Sequence, residues 1–281
     1  MKIQFQVQEK DNIISFFSKH NYSKNKVKTL VKLGLVYVNN EKIKLPYTVN
    51  ENDLVTIKDE EQEKDFGIIY EDKNYLVVNK EAGMLTISTS SKNKDKEITL
   101  YKLVREYLNK KKELCFIVNR IDKETSGLVI FAKNLKLKEK LQSDWNNIVK
   151  ERLYIAVVDG IIKKDGRIDN YLYEDKMTFS HSTNKGGKRA ITNYKIIKQN
   201  KEYTMLDVNI ETGRKNQIRV HMTEMNHPIA GDKKYKCLTN PIKRLCLHHY
   251  RISLIDPISK KLLTFESKIP NEFNKIFKTS N

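Results

Sequence analysis

Apolar residues recur at helical spacing in DNIISFFSKH (11–20) and again in SKNKVKTLVKLG (23–34), which predicts two short helices, the second stopped by Gly34. The pattern then changes. LVYVNNEKIKL (35–45) reads as two short β-prone runs around an Asn39-Asn40 turn, and DLVTI (53–57) as a further strand. From Gly67 onward β-prone runs dominate, with helices inserted between them. GIIYEDKNYLVVNK (67–80) reads as a hairpin turning at Glu71-Asp72-Lys73-Asn74. CFIVNR (115–120) and GLVIFAK (127–133) read as strands flanking a polar turn, and RLYIAVVDG (152–160) as another strand. KRAITNYKIIK (188–198) and EYTMLDVNIE (202–211) pair, and RLCLHHYRISLI (244–255) and KLLTFESKI (261–269) close the chain as strands. Helical spacing marks LYKLVREYLNKKK (100–112), LKLKEKLQSDWNNIVK (135–150) and RKNQIRVHMTEM (214–225). Without a regular β-α-β order, the pattern favours an α+β fold: a central mixed, mainly antiparallel sheet with flanking helices, plus a small N-terminal α/β module. The expected division is 1–60 and 61–281, with the acidic stretch Asp59–Asp65 (DEEQEKD) as a flexible linker.

Composition narrows the classes. In 281 residues, 53 basic and 35 acidic side chains give a net charge of +18, and 39% hydrophobic residues are enough for an ordinary core. The run Gly127-Leu128-Val129-Ile130-Phe131-Ala132 is far shorter than the roughly 18 residues a membrane helix needs, and the opening MKIQFQVQEK alternates polar and apolar residues, unlike a secretory signal. A cytoplasmic protein with no membrane association is expected. Three cysteines, Cys115, Cys237 and Cys246, show no C-x-x-C spacing, which argues against a zinc ribbon or a disulfide framework. The positive excess suggests a polyanionic partner, because lysine and arginine neutralise phosphates. Lys19–Lys44 holds seven lysines against one acid, Glu41, and Lys176–Arg251 holds 16 basic against five acidic residues. The second density suggests a groove for folded RNA, the alternative being a solvated coat.

The strongest local signal is NRIDKETSGLVIFAK (119–133), where Arg120 and Asp122 lie in a polar loop between two apolar strands. Loops on a rigid scaffold are where catalytic groups concentrate, although an aspartate at such a place is also a common turn former.

This stretch resembles the arginine–leucine–aspartate…threonine–serine–glycine loop of RluA-type pseudouridine synthases, with Ile121 in place of leucine. Three further stretches match in order: GIIYEDKNYLVVNKEAG, RLYIAVVDG and ETGRKNQIRVHMTEMNHPIAGDKKY. The helix–helix–hairpin of the first residues resembles an S4-like RNA-binding module, with Lys24, Lys26, Lys28 and Lys32 as its RNA-facing side chains and a solvated lysine face as the alternative. The resemblance implies an RNA pseudouridine synthase acting by base flipping. It places the catalytic aspartate at Asp122, the base-stacking tyrosine at Tyr154 and the arginine paired with the aspartate at Arg219. Arg120 becomes the wedge that opens the RNA stack, and Arg214 an RNA contact. Chemically, a carboxylate can attack or stabilise a sugar that gains positive character as its glycosidic bond breaks, and a bidentate guanidinium would keep it ionised and fix its plane. Tyrosine offers a flat face to an extruded base.

Several residues depart from the family pattern: Asn119 and Asn216 stand where it has histidines, Glu81 where it has proline and Arg152 where it has lysine. No cofactor is implied, because leaving group and acceptor are the same base. His248-His249 beside Cys246 is not expected to bind a metal, since neighbours on a strand point to opposite faces. The single tryptophan, Trp145, is expected in the core. Ribosomal RNA is the expected substrate, with transfer RNA as the other candidate, and a monomer is expected. A non-catalytic RNA-binding or ribosome-assembly protein on the same scaffold is the alternative reading, and a metal-dependent nuclease a weaker one.

Overall fold

The computed structural model describes residues 2–32, 34–58, 66–88, 98–175, 180–183 and 186–278. The acidic stretch Asp59–Asp65, read as a linker, lies outside the described residues. The chain divides into two compact units, Met1–Asp65 and Phe66–Asn281.

The first unit runs β1 (Lys2–Gln6), β2 (Asp11–Asn12), α1 (Ile13–Lys19), α2 (Lys24–Lys32), β3 (Val36–Val38), β4 (Glu41–Lys42), β5 (Thr48–Val49) and β6 (Leu54–Lys58). Asn12 caps α1, its side chain accepting a 2.9 Å hydrogen bond from the Ile14 amide. A four-stranded sheet, β1-β6-β3-β4, closes over Phe16, Phe17, Val27 and Val36. The opening strand β1 joins this sheet by pairing with β6, so the unit uses residues ahead of the two predicted helices. Helix α2 turns Val27 inward and leaves Lys24, Lys26 and Lys28 exposed; the Lys26 ammonium lies 4.9 Å from the Tyr22 ring centre.

The second unit continues with β7 (Ile68–Glu71), β8 (Tyr75–Lys80), α3 (Leu100–Lys110), β9 (Phe116–Ile117), β10 (Ser126–Ala132), α4 (Leu135–Ser143), α5 (Trp145–Ile148), β11 (Val149–Asp159), β12 (Gly166–Glu174) and β13 (Ser180–Thr183). It ends with β14 (Lys188–Gln199), β15 (Tyr203–Ile210), α6 (Gln217–Glu224), β16 (Leu247–Ile255), β17 (Leu262–Glu266) and α7 (Asn271–Lys275). Among the described residues the strands form one eleven-stranded sheet, β13-β12-β14-β15-β11-β16-β10-β8-β7, with β17 beside β16 and β9 beside β10. Every pairing is antiparallel except β10 with β16, which touch in parallel only at Ser126–His248 and Gly127–His249. The sheet is mixed and mainly antiparallel, with a single parallel seam near its centre.

That seam depends on Gly127. Its φ is +120°, and a Cβ there would lie 2.2 Å from the His249 carbonyl oxygen, so no side chain fits. The apolar strand β10 is buried at every residue and separates two cores, one around Leu128 and Ile130 and one around Val129 and Phe131.

Four predicted elements end differently. The helix predicted over 135–150 breaks at Asp144, whose carboxylate accepts a 2.6 Å bond from the Asn147 side chain; Val149 and Lys150 already belong to β11. The strand predicted over 115–120 is paired only at Phe116 and Ile117, because the Asn119 side chain takes over the ladder, accepting from the Ile130 amide at 2.8 Å. Helix α6 begins at Gln217 rather than Arg214, since Asn216 adopts a left-handed conformation. The last long strand begins at Leu247 rather than Arg244. Strands β12 and β13 and helix α7 have no counterpart in the sequence reading.

Gly127→Ala should destabilise the chain by about 3 kcal/mol through overpacking at the seam, read as a lower urea midpoint with an unchanged slope. A stability equal to the parent's would show that the parallel contact is not a constraint.

Candidate active site

Asp122 sits in the loop between β9 and β10, and its backbone neighbours are clamped from below. The Thr86 hydroxyl donates to the Ile121 carbonyl at 2.8 Å. The Lys123 carbonyl accepts from the Gly83 amide at 2.8 Å and from the Lys80 ammonium at 3.0 Å. Lys80, at the end of β8, is fully buried and also donates to the carbonyls of Glu81 at 2.8 Å and Met84 at 2.7 Å. Burial pulls its pKa down to about 7, opposed by the nearby charges of Glu124 and Asp122. Three carbonyl acceptors suit the protonated amine, which alone carries three donors.

Arg219 reaches the same place from α6. Its fork closes on Asp232: Nε donates to Oδ2 and Nη2 to Oδ1, both at 2.7 Å. The remaining nitrogen, Nη1, donates to Asn216 Oδ1 at 3.1 Å and lies 3.6 Å from Asp122 Oδ2. The expected bidentate pair of Arg219 with Asp122 is therefore corrected: Asp232 takes the fork, and Asp122 receives a single, longer ionic contact. Asp232 is held in its own turn, where Gly231, at φ +80°, passes so near the Arg244 carbonyl that a Cβ would lie 2.1 Å from it. Gln217 fixes the start of α6, donating to the Ile191 carbonyl at 2.9 Å and accepting from the Arg214 amide at 3.0 Å.

The two carboxylates differ in exposure. Asp232 is closed off, whereas the Asp122 side chain keeps 30% exposure toward a cleft. Burial pushes the Asp122 carboxyl above the usual aspartate range; the charge of Arg219 and then that of Lys234 act against the rise, and Asp232 adds to it. Its partial exposure lets water temper that rise while the cleft is open. Burial also opposes the charge on Arg219, but Asp232 outweighs it and holds the guanidinium firmly protonated.

Tyr154 lies on β11 in the same cleft and is nearly buried. Its ring stacks on His249, with centroids 4.4 Å apart and planes 15° from parallel. Burial raises the phenol pKa, so the hydroxyl stays protonated. His249 Nδ1 faces the Leu128 carbonyl at 2.9 Å, and burial brings its imidazole down to about 4, leaving it neutral. His248 is held between the hydroxyls of Ser126 and Ser267, each at 2.8 Å. Among the described residues no three His, Cys, Asp or Glu side chains gather into a set that could hold a metal ion.

These groups line a cleft of about 1770 Å³. Twelve basic and six acidic side chains face it, Arg120, Arg152, Arg214, Lys234 and Arg244 among the former. Arg120 is exposed, and Arg214 anchors its Nε on the Arg189 carbonyl at 2.9 Å. Asp122, Tyr154, Arg219, Arg120 and Arg214 thus share one cleft. Lys24, Lys26, Lys28 and Lys32 belong to α2 of the first unit. Trp145 is half in the core and half on the cleft wall, not wholly buried as expected. The sequence reading missed Asp232, Lys80, Thr86 and His249. Neither Asp232, in the polar turn Gly231-Asp232-Lys233-Lys234, nor Lys80, at the polar end of its strand, carried a local signal that set it apart.

Comparison with known families decides what this cleft belongs to. Residues 74–224, more than half the chain, match the model described as RNA pseudouridylate synthase, and residues 11–55 match the S4 domain. The chain belongs to the RNA pseudouridylate synthase family. It is an isomerase acting on RNA, with an appended S4 domain for binding RNA. It is 32% identical to ribosomal large subunit pseudouridine synthase D of Neisseria meningitidis serogroup B, covering 90% of this chain and 73% of that one. It is 31% identical to the uncharacterized RNA pseudouridine synthase YlyB of Bacillus subtilis, covering 96% and 94%. Its fold is shared with human RNA pseudouridylate synthase domain containing 4, at a TM-score of 0.61 and 20% identity over 75% of this chain and 92% of that one. Asp122, Tyr154 and Arg219 fall inside the segment matching the synthase model, while Asp232 and His249 lie beyond its end.

Asp232→Asn should lower stability by about 3–5 kcal/mol, because it leaves the buried Arg219 charge without its anionic partner. Chemical unfolding of the purified variant checks this; a loss below about 1 kcal/mol would mean that Asp122 alone can hold the guanidinium.

Proposed function

We propose that this synthase converts uridine to pseudouridine in ribosomal RNA, acting as a monomer in the cytoplasm, with Asp122 as its catalytic carboxylate. The observation that carries the reading is the Asp122 carboxylate, open to a basic cleft and 3.6 Å from a guanidinium already committed elsewhere. Ribosomal RNA as substrate is supported by the similarity to the Neisseria relative, a ribosomal large subunit pseudouridine synthase.

In this reading Arg120 enters the RNA stack as the target nucleotide swings out, and the extruded uracil stacks on the part of Tyr154 that His249 leaves open. The bond between N1 and C1′ breaks, and the anionic Asp122 faces the positive character that develops at C1′. The base turns, C5 bonds to C1′, the C5 proton leaves, and N1 takes one up. Tyr154, held protonated, keeps a neutral hydroxyl beside the base and adds no second negative charge next to Asp122. Arg214 and α2 lysines Lys24, Lys26, Lys28 and Lys32 serve as phosphate contacts.

Asp122→Asn tests the reading most directly. It keeps the shape and removes the charge, so pseudouridine formation should fall at least about a thousandfold while RNA affinity stays within about twofold. Full turnover by that variant, followed by tritium release from carbon-5-labelled ribosomal RNA, would overturn the role of Asp122. Wild-type protein that binds RNA and releases no tritium would favour the non-catalytic assembly reading.

A pH profile adds a signed check. Burial raises the Asp122 pKa, so activity should fall with decreasing pH at values above the usual aspartate range. Lys234→Gln removes a cation that favours the carboxylate, so the acid limb of the single-turnover rate should move to higher pH. A shift to lower pH would contradict the electrostatic assignment.

A further inference from the structure

We infer that Trp145, Gln142 and Asn146 form a nucleobase subsite on the cleft wall, which holds an unpaired base neighbouring the target uridine. The inference rests on the reading of the cleft as an RNA uridine isomerase site. Trp145 is the only tryptophan in the chain. It packs part of its ring against the core around Val118, Leu137 and Leu141, and it also lines the cleft. In an unbroken helix it would follow Leu141 by four residues and stay on the buried stripe. The break at Asp144, with φ −122° and ψ 28°, takes it out of that register.

The polar groups beside it are neutral amides. Gln142 Nε2 donates to the carbonyls of Ile117 and Val118, both at 3.2 Å. Two carbonyl acceptors fix the orientation of that amide, which leaves its oxygen as an acceptor. Asn146, exposed on the same wall, offers both a donor and an acceptor. A flat apolar ring flanked by amides suits the face and edge of a base, whereas a phosphate would call for cations at that point. The cations that line the same cleft, Arg152 nearest in sequence to Trp145, can hold the backbone that carries such a base.

A lone tryptophan makes the test direct, since intrinsic fluorescence above 295 nm excitation, about the red edge of tyrosine absorption, reads this residue alone. Full-length protein is titrated with a short single-stranded oligouridylate and, separately, with heparin, a polyanion without bases. Saturable quenching by the oligouridylate with little response to heparin is expected. Equal quenching by both, or none by an oligouridylate that displaces labelled ribosomal RNA, overturns the inference. Trp145→Ala should raise KM on ribosomal RNA about tenfold and leave kcat within about twofold, and Trp145→Phe, which keeps a ring, should restore most of KM. An unchanged KM in the alanine variant, or a phenylalanine variant as poor as alanine, also overturns it. If the alanine variant does not fold, the wild-type titration and the phenylalanine variant still decide. The two readings fail separately: absence of pseudouridine from the wild-type reaction defeats the catalytic reading, whereas the quenching reports the subsite whether or not the bond is broken.

Discussion

One guanidinium stands between two carboxylates, and how Arg219 divides its donors sets the character of the cleft. The fork goes to Asp232, which is closed off, and Asp122 keeps one ionic contact at 3.6 Å. A fork on Asp122 would occupy both of its oxygens and hold its plane, but would leave less of the anion to face a sugar. Here the guanidinium is fixed by a partner closed off from the cleft, and its last nitrogen turns a positive charge toward Asp122. The orientation of Asp122 must then come from its backbone. Lys80, Gly83 and Thr86 supply it by gripping the carbonyls on either side of the aspartate.

The same economy appears at the centre of the sheet. β10 and β16 meet in parallel over only two residue pairs, and Gly127 lets the backbones approach where no Cβ would fit. At this seam Ser126 meets His248, and His249 stacks on Tyr154 while its Nδ1 faces the Leu128 carbonyl of β10. The Asp122 loop, which feeds directly into β10, is thus tied to the strand that bears Tyr154 through a short run of buried contacts. Antiparallel strands could not be joined here without turning β10 around and carrying Asp122 to the opposite end of the sheet.

Much of this was legible in the sequence, for identifiable reasons. The loop at Arg120–Asp122 stands between apolar runs, but the grouping of Asp122 with Tyr154 and Arg219 followed from the family resemblance of their stretches rather than from spacing alone. The partner of Arg219 did not follow. Asp232 lies in a glycine turn, and a turn aspartate is ordinary until the fold brings a buried guanidinium to it. Lys80 looked like the polar end of a strand; its role depends on three carbonyls from two loops, one of them 43 residues away. Strands β12 and β13 were missed because GRIDNYLYE lacks a strict apolar–polar alternation and SHST has no apolar residue, so their pairing is set by neighbours rather than by their own pattern.

Charge around the cleft has to satisfy two opposed demands. RNA brings phosphates and expels water, and both changes favour protonation of Asp122, whose charge the proposed reaction requires. The lining answers with twice as many cations as anions, twelve against six. Most of these cations can neutralise phosphate, but Arg219 cannot be drawn away, because Asp232 holds it by two 2.7 Å bonds. A guanidinium forked onto Asp122 alone would have had to choose between the carboxylate and an incoming phosphate. Dividing the work between an arginine locked onto Asp232 and the other basic side chains of the lining suits a cleft that attracts a polyanion above the Asp122 carboxylate.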